Sequence, residues 1–516
     1  MQLKDILARG YFPGELPPPF KTKSFADHVT GSNVPLPKPS ASSSKLCHHS
    51  LARHGSLRRR LGIPNPAHFL ALCNELSTSW ADIDAFTHSS PLSYSVPVPT
   101  PIGKRSLSLN LDFEALPALR ANNRAVGRYL VVADISLFYH SIYTHSVPWA
   151  LHTKSESKKR KLDKGLLGNR IDTALRNAQD LQTLGVPIGP DTSLLIAEII
   201  LCAVDLKIHG MCGARSIISR GMRSSDEYEF VLRNLSDAET VLSCIQQALS
   251  EFELSLNQSK TRLVEIPGRL DAAWILELTA YDIRDFPAVQ PKDLIRYFDK
   301  VYTLVDEYPG DSVLRYALRK ASTVQVHNSN SQLFQNLLLQ CVSVDPAVLQ
   351  DVLYILQKHQ QRGAIINIDS IEQVINLQIQ RHAPLGHSSE VSWAVWAAIA
   401  FNIPIDSGSA KVLSGTADSI VALLALDAQR RGLMHSDFDA TTWQHFLTPE
   451  DLYGEQWLLT YEADCQLHLL PAGNSHVDKD PWFKNLKDAG VRFYDPSVST
   501  LIPKPPALVV SGKLSP

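Results

Sequence analysis

The alternation of hydrophobic and polar positions changes character along this chain, and each change predicts a different kind of structure. The first 110 residues are irregular and rich in Pro, Ser and His, with LPPPF at 16–20 and PLPKPSASSS at 35–44, so loops and short elements are expected. YLVVADI (129–135) is a continuous apolar and β-branched run ending in one acid, the pattern of a buried strand that delivers a carboxylate at its tip. TSLLIAEIILCAVDLKI (192–208) is apolar almost all round, as a buried helix is. SIISRGMRSSDEYEFVL (216–232) predicts two strands meeting at a turn around Ser224 to Asp226. In LSDAETVLSCIQQALSEFEL (235–254), Leu235, Ala238, Val241, Leu242, Ile245, Leu249 and Phe252 recur near helical spacing, with Ser236 as N-cap and Glu239 completing a capping box. SLNQSKTRLVEI (255–266) reads as a further strand. Strand, helix, hairpin, helix, strand is an α/β layer with helices on one sheet face.

After residue 290 the strand signals fade and helical stretches take over: DLIRYFDKVYTLVDEY, SQLFQNLLLQCVSV, AVLQDVLYILQKHQ, EVSWAVWAAIAF and ADSIVALLALDAQRRG. The expected fold class is therefore α/β plus all-α, with a solenoid-like α-helical C-terminal domain, although no repeated motif fixes a period.

Composition narrows the function classes. With 516 residues, 44% hydrophobic and 20% charged, the chain has room for three or four compact units at about 100–200 residues each. A net charge of -2 and a pI near 6.8 give no whole-chain footprint for nucleic acid, so any such footprint is local. Two positive clusters qualify, KLCHHSLARHGSLRRRLGIPNP (45–66) and KSESKKRKLDKGLLGNR (154–170), though basic runs are ordinarily solvated faces. The seven cysteines include no Cys-x-x-Cys pair, which indicates neither a disulfide framework nor a zinc knuckle. The N-terminus reaches proline and acid too soon for a signal peptide, and the longest apolar stretch, 194–204, contains Glu198 and falls short of the roughly 20 residues a bilayer needs. A soluble, cytoplasmic protein without a membrane partner is expected. His145 and His152 have no second ligand at useful spacing, and packing roles are expected for both.

The acids carry the candidate chemistry. Transfer of a nucleotidyl group uses two metal ions about 3.5–4 Å apart, and hard oxygen ligands suit Mg²⁺. A strand-end Asp134 facing the hairpin-tip pair Asp226-Glu227 supplies such a set if the strands lie side by side; otherwise these acids are turn caps and solvated turn chemistry.

Here the sequence meets a known family. ADISLFYHSIYTHSVPWALHTK (133–154) closely resembles the first catalytic motif of prokaryotic reverse transcriptases of the abortive-infection and phage-defence type. LGVPIGPDTSLLIAEIIL (184–201) resembles that group's second motif, GMRSSDEYEFVL (221–232) stands where the third does, and LSLNQSKTRLVEI (254–266) looks like the fourth. GYFPGELPPPF, LARHGSLRRRLGIPNP, YEADC and GVRFYD extend the similarity over most of the chain. The resemblance implies a right-hand reverse-transcriptase fold: an N-terminal extension with fingers (1–128), a palm (129–270), a thumb-like helical connector (271–330) and the α-helical C-terminal domain (331–516). It implies RNA-directed or template-independent DNA synthesis in antiphage defence. The implied cofactor is Mg²⁺, with Mn²⁺ as the alternative. The implied partners are dNTPs, an RNA template or non-coding RNA, a DNA product, a second reverse transcriptase subunit and further copies of this chain.

Roles carried over from the motifs are these. Asp134 and Asp226 are the metal-binding carboxylates, joined by Glu227 and the Ile135 carbonyl. Tyr139 is the aromatic gate that excludes a 2′-hydroxyl. Pro187, Ile188 and Gly189 form the turn against the incoming base, Gly189 allowing close backbone approach. Asp191, Thr192 and Ser193 serve the same turn or only cap the apolar helix. Lys260 stands near the triphosphate, able to offset charge or protonate pyrophosphate. Arg58, Arg59 and Arg60 suit triphosphate or template backbone, with the inward-pointing one undecided. Where the family reads Tyr-x-Asp-Asp, this chain reads Ser224-Ser225-Asp226-Glu227. That departure leaves three readings: an enzyme with altered priming, a slow enzyme, or a palm kept as a scaffold beside an active partner.

Overall fold

A computed structural model describes residues 1–32, 36–53, 57–103, 105–110, 115–217, 219–268, 270, 272–467, 474–499 and 502–504. Two hairpins lie near the N-terminus: β1 (Cys47–Ala52) with β2 (Arg58–Ile63), and the short β3 (Pro97–Pro99) with β4 (Leu107–Leu109). His54, Gly55 and Ser56, within the first basic cluster, fall outside the described residues.

The central sheet is built from β5 (Tyr129–Asp134), β6 (Arg220–Ser224), β7 (Glu227–Leu232) and β8 (Arg262–Glu265), in the order β6-β7-β5-β8, every pair antiparallel. Because side chains alternate across a pleat, Val131 and Ala133 point into the main core with Tyr228, Phe230 and Leu232. Leu130 and Val132 point to the opposite face, beside Val231. Asp134 belongs to that second set. The helices used below are α1 (Leu116–Arg124), α2 (Asp191–Ala214) and α3 (Leu235–Glu251) around the sheet, then α4 (Ser331–Val344), α5 (Leu349–Gln361), α6 (Ile368–His382), α7 (Ser388–Phe401) and α8 (Ser419–Arg430). The α2 helix is buried nearly throughout, as its all-round apolarity predicts, and α3 packs beside it.

The α3 start differs in detail from the expectation. Asn234, not Ser236, is the N-cap, its side chain accepting from the Asp237 N–H at 2.8 Å. Both residue types cap well, and the helix begins at Leu235, which leaves Ser236 inside its first turn.

The C-terminal region is helical as expected, but its later helices pack against the first 70 residues. His49 meets Asp418 at 3.0 Å, Asn65 donates to the Leu452 carbonyl at 2.7 Å, and Trp457 donates to the Ile63 carbonyl at 3.2 Å. Tyr11, Phe25 and Trp457 crowd around Phe493, so the two ends of the chain share one aromatic core. All seven cysteines are buried and unpaired. Among the described residues no helix is long and apolar enough to cross a membrane.

Candidate active site

The sheet register brings the acids together. Asp134, the last residue of β5, pairs directly with Glu227, the first of β7, so both side chains leave the sheet on the face away from α2 and α3. Between β6 and β7 the chain turns at Ser225 and Asp226, and the Asp226 carbonyl accepts from the Ile135 N–H at 3.2 Å. Ser225 lies at φ +56°, a left-handed conformation that costs a serine about 1 kcal/mol or more. The tip is held there by its surroundings: the Ser225 N–H donates to Ser95 Oγ at 2.7 Å, and Arg223 Nη1 donates to the Ser225 carbonyl at 3.0 Å.

Electrostatics mark the two aspartates as neighbours. Burial raises the Asp226 pKa, the Asp134 charge raises it further, and Lys260 pulls the other way. Lys260 Nζ donates to Asp134 Oδ2 at 2.7 Å, while Asn257 Nδ2 donates to Oδ1 at 3.1 Å. Two carboxylates close enough for their charges to act on each other, with one lysine resting on Asp134, form a hard-oxygen donor set that fits a divalent cation. Glu227 is differently placed. Burial and the nearby Glu229 push its pKa up to about 7, opposed by Arg120, whose Nη2 lies 3.9 Å from its carboxylate. Glu227 thus joins a charged cluster on this face in which Arg120 and Arg124 of α1 hold the buried Glu229 at 2.5 and 3.3 Å.

Tyr139 is half-buried beside this centre. Burial raises its hydroxyl pKa, the Asp226 charge adds to the rise, and Arg59 opposes it. The Tyr139 carbonyl accepts from Val186 N–H at 2.9 Å, which ties the Tyr139 segment to the turn at Pro187, Ile188 and Gly189. That turn runs beside β2: Gly62 N–H donates to the Ile188 carbonyl at 3.0 Å. Gly189 has φ +134°, and a Cβ there would stand 2.6 Å from Pro13 Cγ, so any other residue would displace the N-terminal segment. Asp191 is fully buried and committed to structure. It pairs with Arg105 and accepts from the Ser106 and Leu107 N–H groups at 2.8 and 3.0 Å. Pro190, with no side-chain acceptor, holds the N-cap position of α2.

The three arginines separate. Arg58 is turned away from the acids: it forms a two-pronged ion pair with Glu390 of α7 and donates to the Ser50 carbonyl at 2.8 Å. Both of its prongs thus serve a buried carboxylate of the C-terminal region. Arg59 is the inward member, its charge acting on Tyr139 and His140. Arg60 is exposed and stands near His48. Arg53, not singled out from the sequence, joins Arg59 at the site, with its charge coupled to Asp226. His145 is hydrogen-bonded to Asp172 at 2.9 Å, and His152 Nε2 accepts from Gly168 N–H at 3.0 Å. His382, His387 and Glu390 also come together, but Arg58 occupies both Glu390 oxygens.

Behind the hairpin lies a group that sequence reading missed. Arg223 is fully buried and binds two acids of α2, Glu198 at 2.7 Å and Asp205 at 2.8 Å, while Tyr228 donates to Asp205 at 2.9 Å. Burial alone would lower the Arg223 pKa, but the two carboxylates outweigh it and the guanidinium stays charged. The acid in the middle of an apolar helix was the available signal: a buried carboxylate calls for a partner.

No family model matches the chain, and no curated protein matches it. Among solved structures it is similar to an apo telomerase from Candida tropicalis truncated from its C-terminal domain (TM-score 0.30, 13% identity, 48% of this chain and 54% of that one). It is also similar to the apo telomerase from Candida tropicalis (TM-score 0.33, 11% identity, 78% and 72%). A third likeness is to telomerase from Candida albicans in complex with a TWJ fragment of telomeric RNA (TM-score 0.28, 11% identity, 61% and 62%). The chain spans about half the length of the first of these.

Proposed function

We propose that this chain is a nucleotidyl polymerase of the reverse-transcriptase type. The observation that carries the reading is the meeting of Asp134, Asp226, Lys260 and Tyr139 around one strand end and one hairpin tip. Asp134 and Asp226 would hold the metal ions, Mg²⁺ or Mn²⁺, with the Ile135 carbonyl adjacent; bound there, the ions would supply activation of the attacking oxygen and charge neutralisation at the leaving group. The protein groups divide the remaining work. Lys260, resting on Asp134, stands ready to neutralise or protonate pyrophosphate. Arg59 and Arg53 supply positive charge for the triphosphate. Tyr139 closes the space beneath the sugar, which selects dNTPs, and Pro187 to Gly189 form the wall beside the base. Asn257 is a positioning residue that fixes the Asp134 carboxylate.

Primer extension with labelled dNTPs and Mg²⁺, on RNA and DNA templates and without template, tests the reading. Incorporation that Asp134→Ala abolishes is expected. Its absence under every condition, or equal product from Asp134→Ala, overturns it. We further place the activity in antiphage defence, on the resemblance of the first motif. Phage plating on cells expressing the wild type and Asp134→Ala tests this, and equal plating on both overturns it.

One observation favours a second reading, a weakened palm serving nucleic-acid binding or assembly beside an active partner. Glu227 faces Arg120 and the Glu229 cluster in addition to Asp134. On this reading Asp226→Asn leaves phage protection intact; loss of protection by a folded Asp226→Asn protein excludes it.

A further inference from the structure

The basic stretch 154–164 takes no part in the site described above. Six basic and two acidic side chains stand within it, in a chain whose net charge is -2. Such runs are ordinarily solvated faces. Three observations set this one apart.

The first is how its charges are matched. Arg160 holds both acids of the stretch, Glu156 at 3.1 Å and Asp163 through Nε at 2.9 Å. The neighbouring acids are matched as well: Glu253 meets Lys154 at 3.2 Å, Glu251 meets Lys207 at 2.6 Å and Glu75 meets Arg170 at 2.7 Å. Lys158, Lys159, Lys161 and Lys164 are exposed and form no ion pair or side-chain hydrogen bond among the described residues; Lys158 rests over the Trp149 ring at 5.9 Å. The excess acts on its surroundings. Burial lowers the His152 pKa, and the Arg160 and Arg170 charges lower it further, with Glu156 opposing them.

The second is that these lysines stand on a built turn. The short helix Lys154–Lys159 turns back through residues 160–165 to the helix Leu167–Asn177. Asn169, itself buried, donates from Nδ2 to the Arg160 and Asp163 carbonyls at 2.8 and 2.9 Å. Ser157 Oγ donates to the Pro148 carbonyl at 2.8 Å, and a Cβ at Gly168 would stand 2.4 Å from Pro148 Cα. A backbone fixed in this way presents its charges without being ordered again on binding.

The third is position. Lys154 Nζ lies 4.0 Å from the centre of the Trp149 ring, and Trp149 packs edge-on against Tyr143 at 5.5 Å. The Ile142 carbonyl beside Tyr143 accepts from Gly185 N–H at 2.7 Å, just before the turn at Pro187 to Gly189. The basic turn is thus joined to the Tyr139 segment by one helix, Ser146–His152, about 10 Å long.

We propose that Lys158, Lys159, Lys161 and Lys164 form a docking surface for the sugar-phosphate backbone of nucleic acid, outside the catalytic centre. Lysines are point charges on flexible stems, suited to following a backbone of evenly spaced phosphates. The stretch contains no aromatic residue and no Asn or Gln with which to read bases, so contact independent of sequence is expected. Naming nucleic acid as the polyanion rests on the polymerase reading; the unmatched charge of the surface does not.

Fluorescence anisotropy of the full chain tests it, with labelled single-stranded RNA, labelled DNA duplex and poly-glutamate, in EDTA and without nucleotide so that palm chemistry takes no part. The variant carries Lys158→Gln, Lys159→Gln, Lys161→Gln and Lys164→Gln. It should bind RNA or duplex at least about tenfold more weakly at low salt, with an unchanged melting temperature. Each phosphate contact adds about 0.9 to the slope of log affinity against log salt on duplex and about 0.7 on a single strand, so the slope should fall by about 2–4. Arginine at the same four positions should restore binding, which separates charge from structure. The nucleic acid whose binding depends more on the four lysines is the partner, RNA or DNA. Unchanged affinity and slope in the glutamine variant overturns the surface, while primer extension by that variant still tests the polymerase reading separately. Poly-glutamate bound as tightly as nucleic acid, with the same dependence on the lysines, overturns the nucleic-acid partner and assigns the surface to an acidic protein.

Discussion

The buried ion group behind the β6–β7 hairpin makes a quantitative test of how that hairpin is held. Arg223 is 0% exposed, and its partners Glu198 and Asp205 are 4% and 0% exposed. Each acid receives two guanidinium nitrogens: Glu198 from Nη1 and Nη2 at 3.0 and 2.7 Å, Asp205 from Nε and Nη2 at 2.9 and 2.8 Å. Removing one partner of a buried pair costs about 3–5 kcal/mol, because the charge left behind has no compensation. Arg223→Met strands two carboxylates and also releases the Ser225 carbonyl, so a loss of at least about 3 kcal/mol in the local stability of β6 and β7 is expected. Asp205 keeps its bonds from Tyr228 and Ser90, whereas Glu198 keeps none among the described residues. Arg223→Met with Glu198→Leu should therefore recover more than half of the loss.

Hydrogen exchange of peptides spanning 220–232 reads this locally, which suits a large chain whose global unfolding need not be two-state. Protection should fall about 100-fold or more in Arg223→Met and return most of the way in the double variant. A fall below about fivefold, near 1 kcal/mol, would refute the reasoning, as would a double variant no better protected than the single one.

Other consequences follow from the same geometry. Lys260→Met should lower the single-turnover rate of nucleotide addition about 100-fold, the lower end for loss of a general acid, while melting is unchanged. Tyr139→Ala should raise rNTP incorporation relative to dNTP in a competition assay; an unchanged ratio removes Tyr139 from sugar selection. Glu227, with its pKa raised to about 7 from a usual 4.5, keeps in the folded state a proton that the unfolded chain releases earlier. Its stabilising contribution is complete below about pH 4.5 and is lost as pH rises through about 7. Melts in EDTA across that window should fall with pH in the wild type and less steeply in Glu227→Gln; equal slopes would contradict the placement. Arg59→Ala should raise the apparent KM for dNTP without lowering stability. Arg58→Ala should instead cost about 3 kcal/mol of stability, measured by denaturant melting, through the stranded Glu390.

The parts of the site that could be read from sequence are those set by short-range pattern. A β-branched run ending in one acid is a strand with a carboxylate at its tip, and β5 is that strand. The hairpin around Ser225 and Asp226 was equally readable, since alternation on either side of a polar tip is a local signal. Their adjacency was not, because β5 pairs with β7 across about 90 intervening residues and no local pattern specifies that order. Only the resemblance of the motifs brought Asp134 and Asp226 together before the structure did.

The three arginines show the same limit from the other side. Arg58, Arg59 and Arg60 are chemically identical neighbours in sequence, and what distinguishes them lies elsewhere in the fold. Glu390, 332 positions along, claims Arg58, the site beside Tyr139 receives Arg59, and solvent takes Arg60. Glu198 was the overlooked opportunity. Within LLIAEIILCAV an acid has no local reason to exist, and Arg223 is the basic residue on the face of β6 that turns toward α2. A buried carboxylate is tolerable only when paired, so the composition of α2 already required a cation from a packed element. The hairpin bearing Asp226 supplies it, which means that the charge holding the site in place was written into the same helix that the hydrophobic pattern made easiest to find.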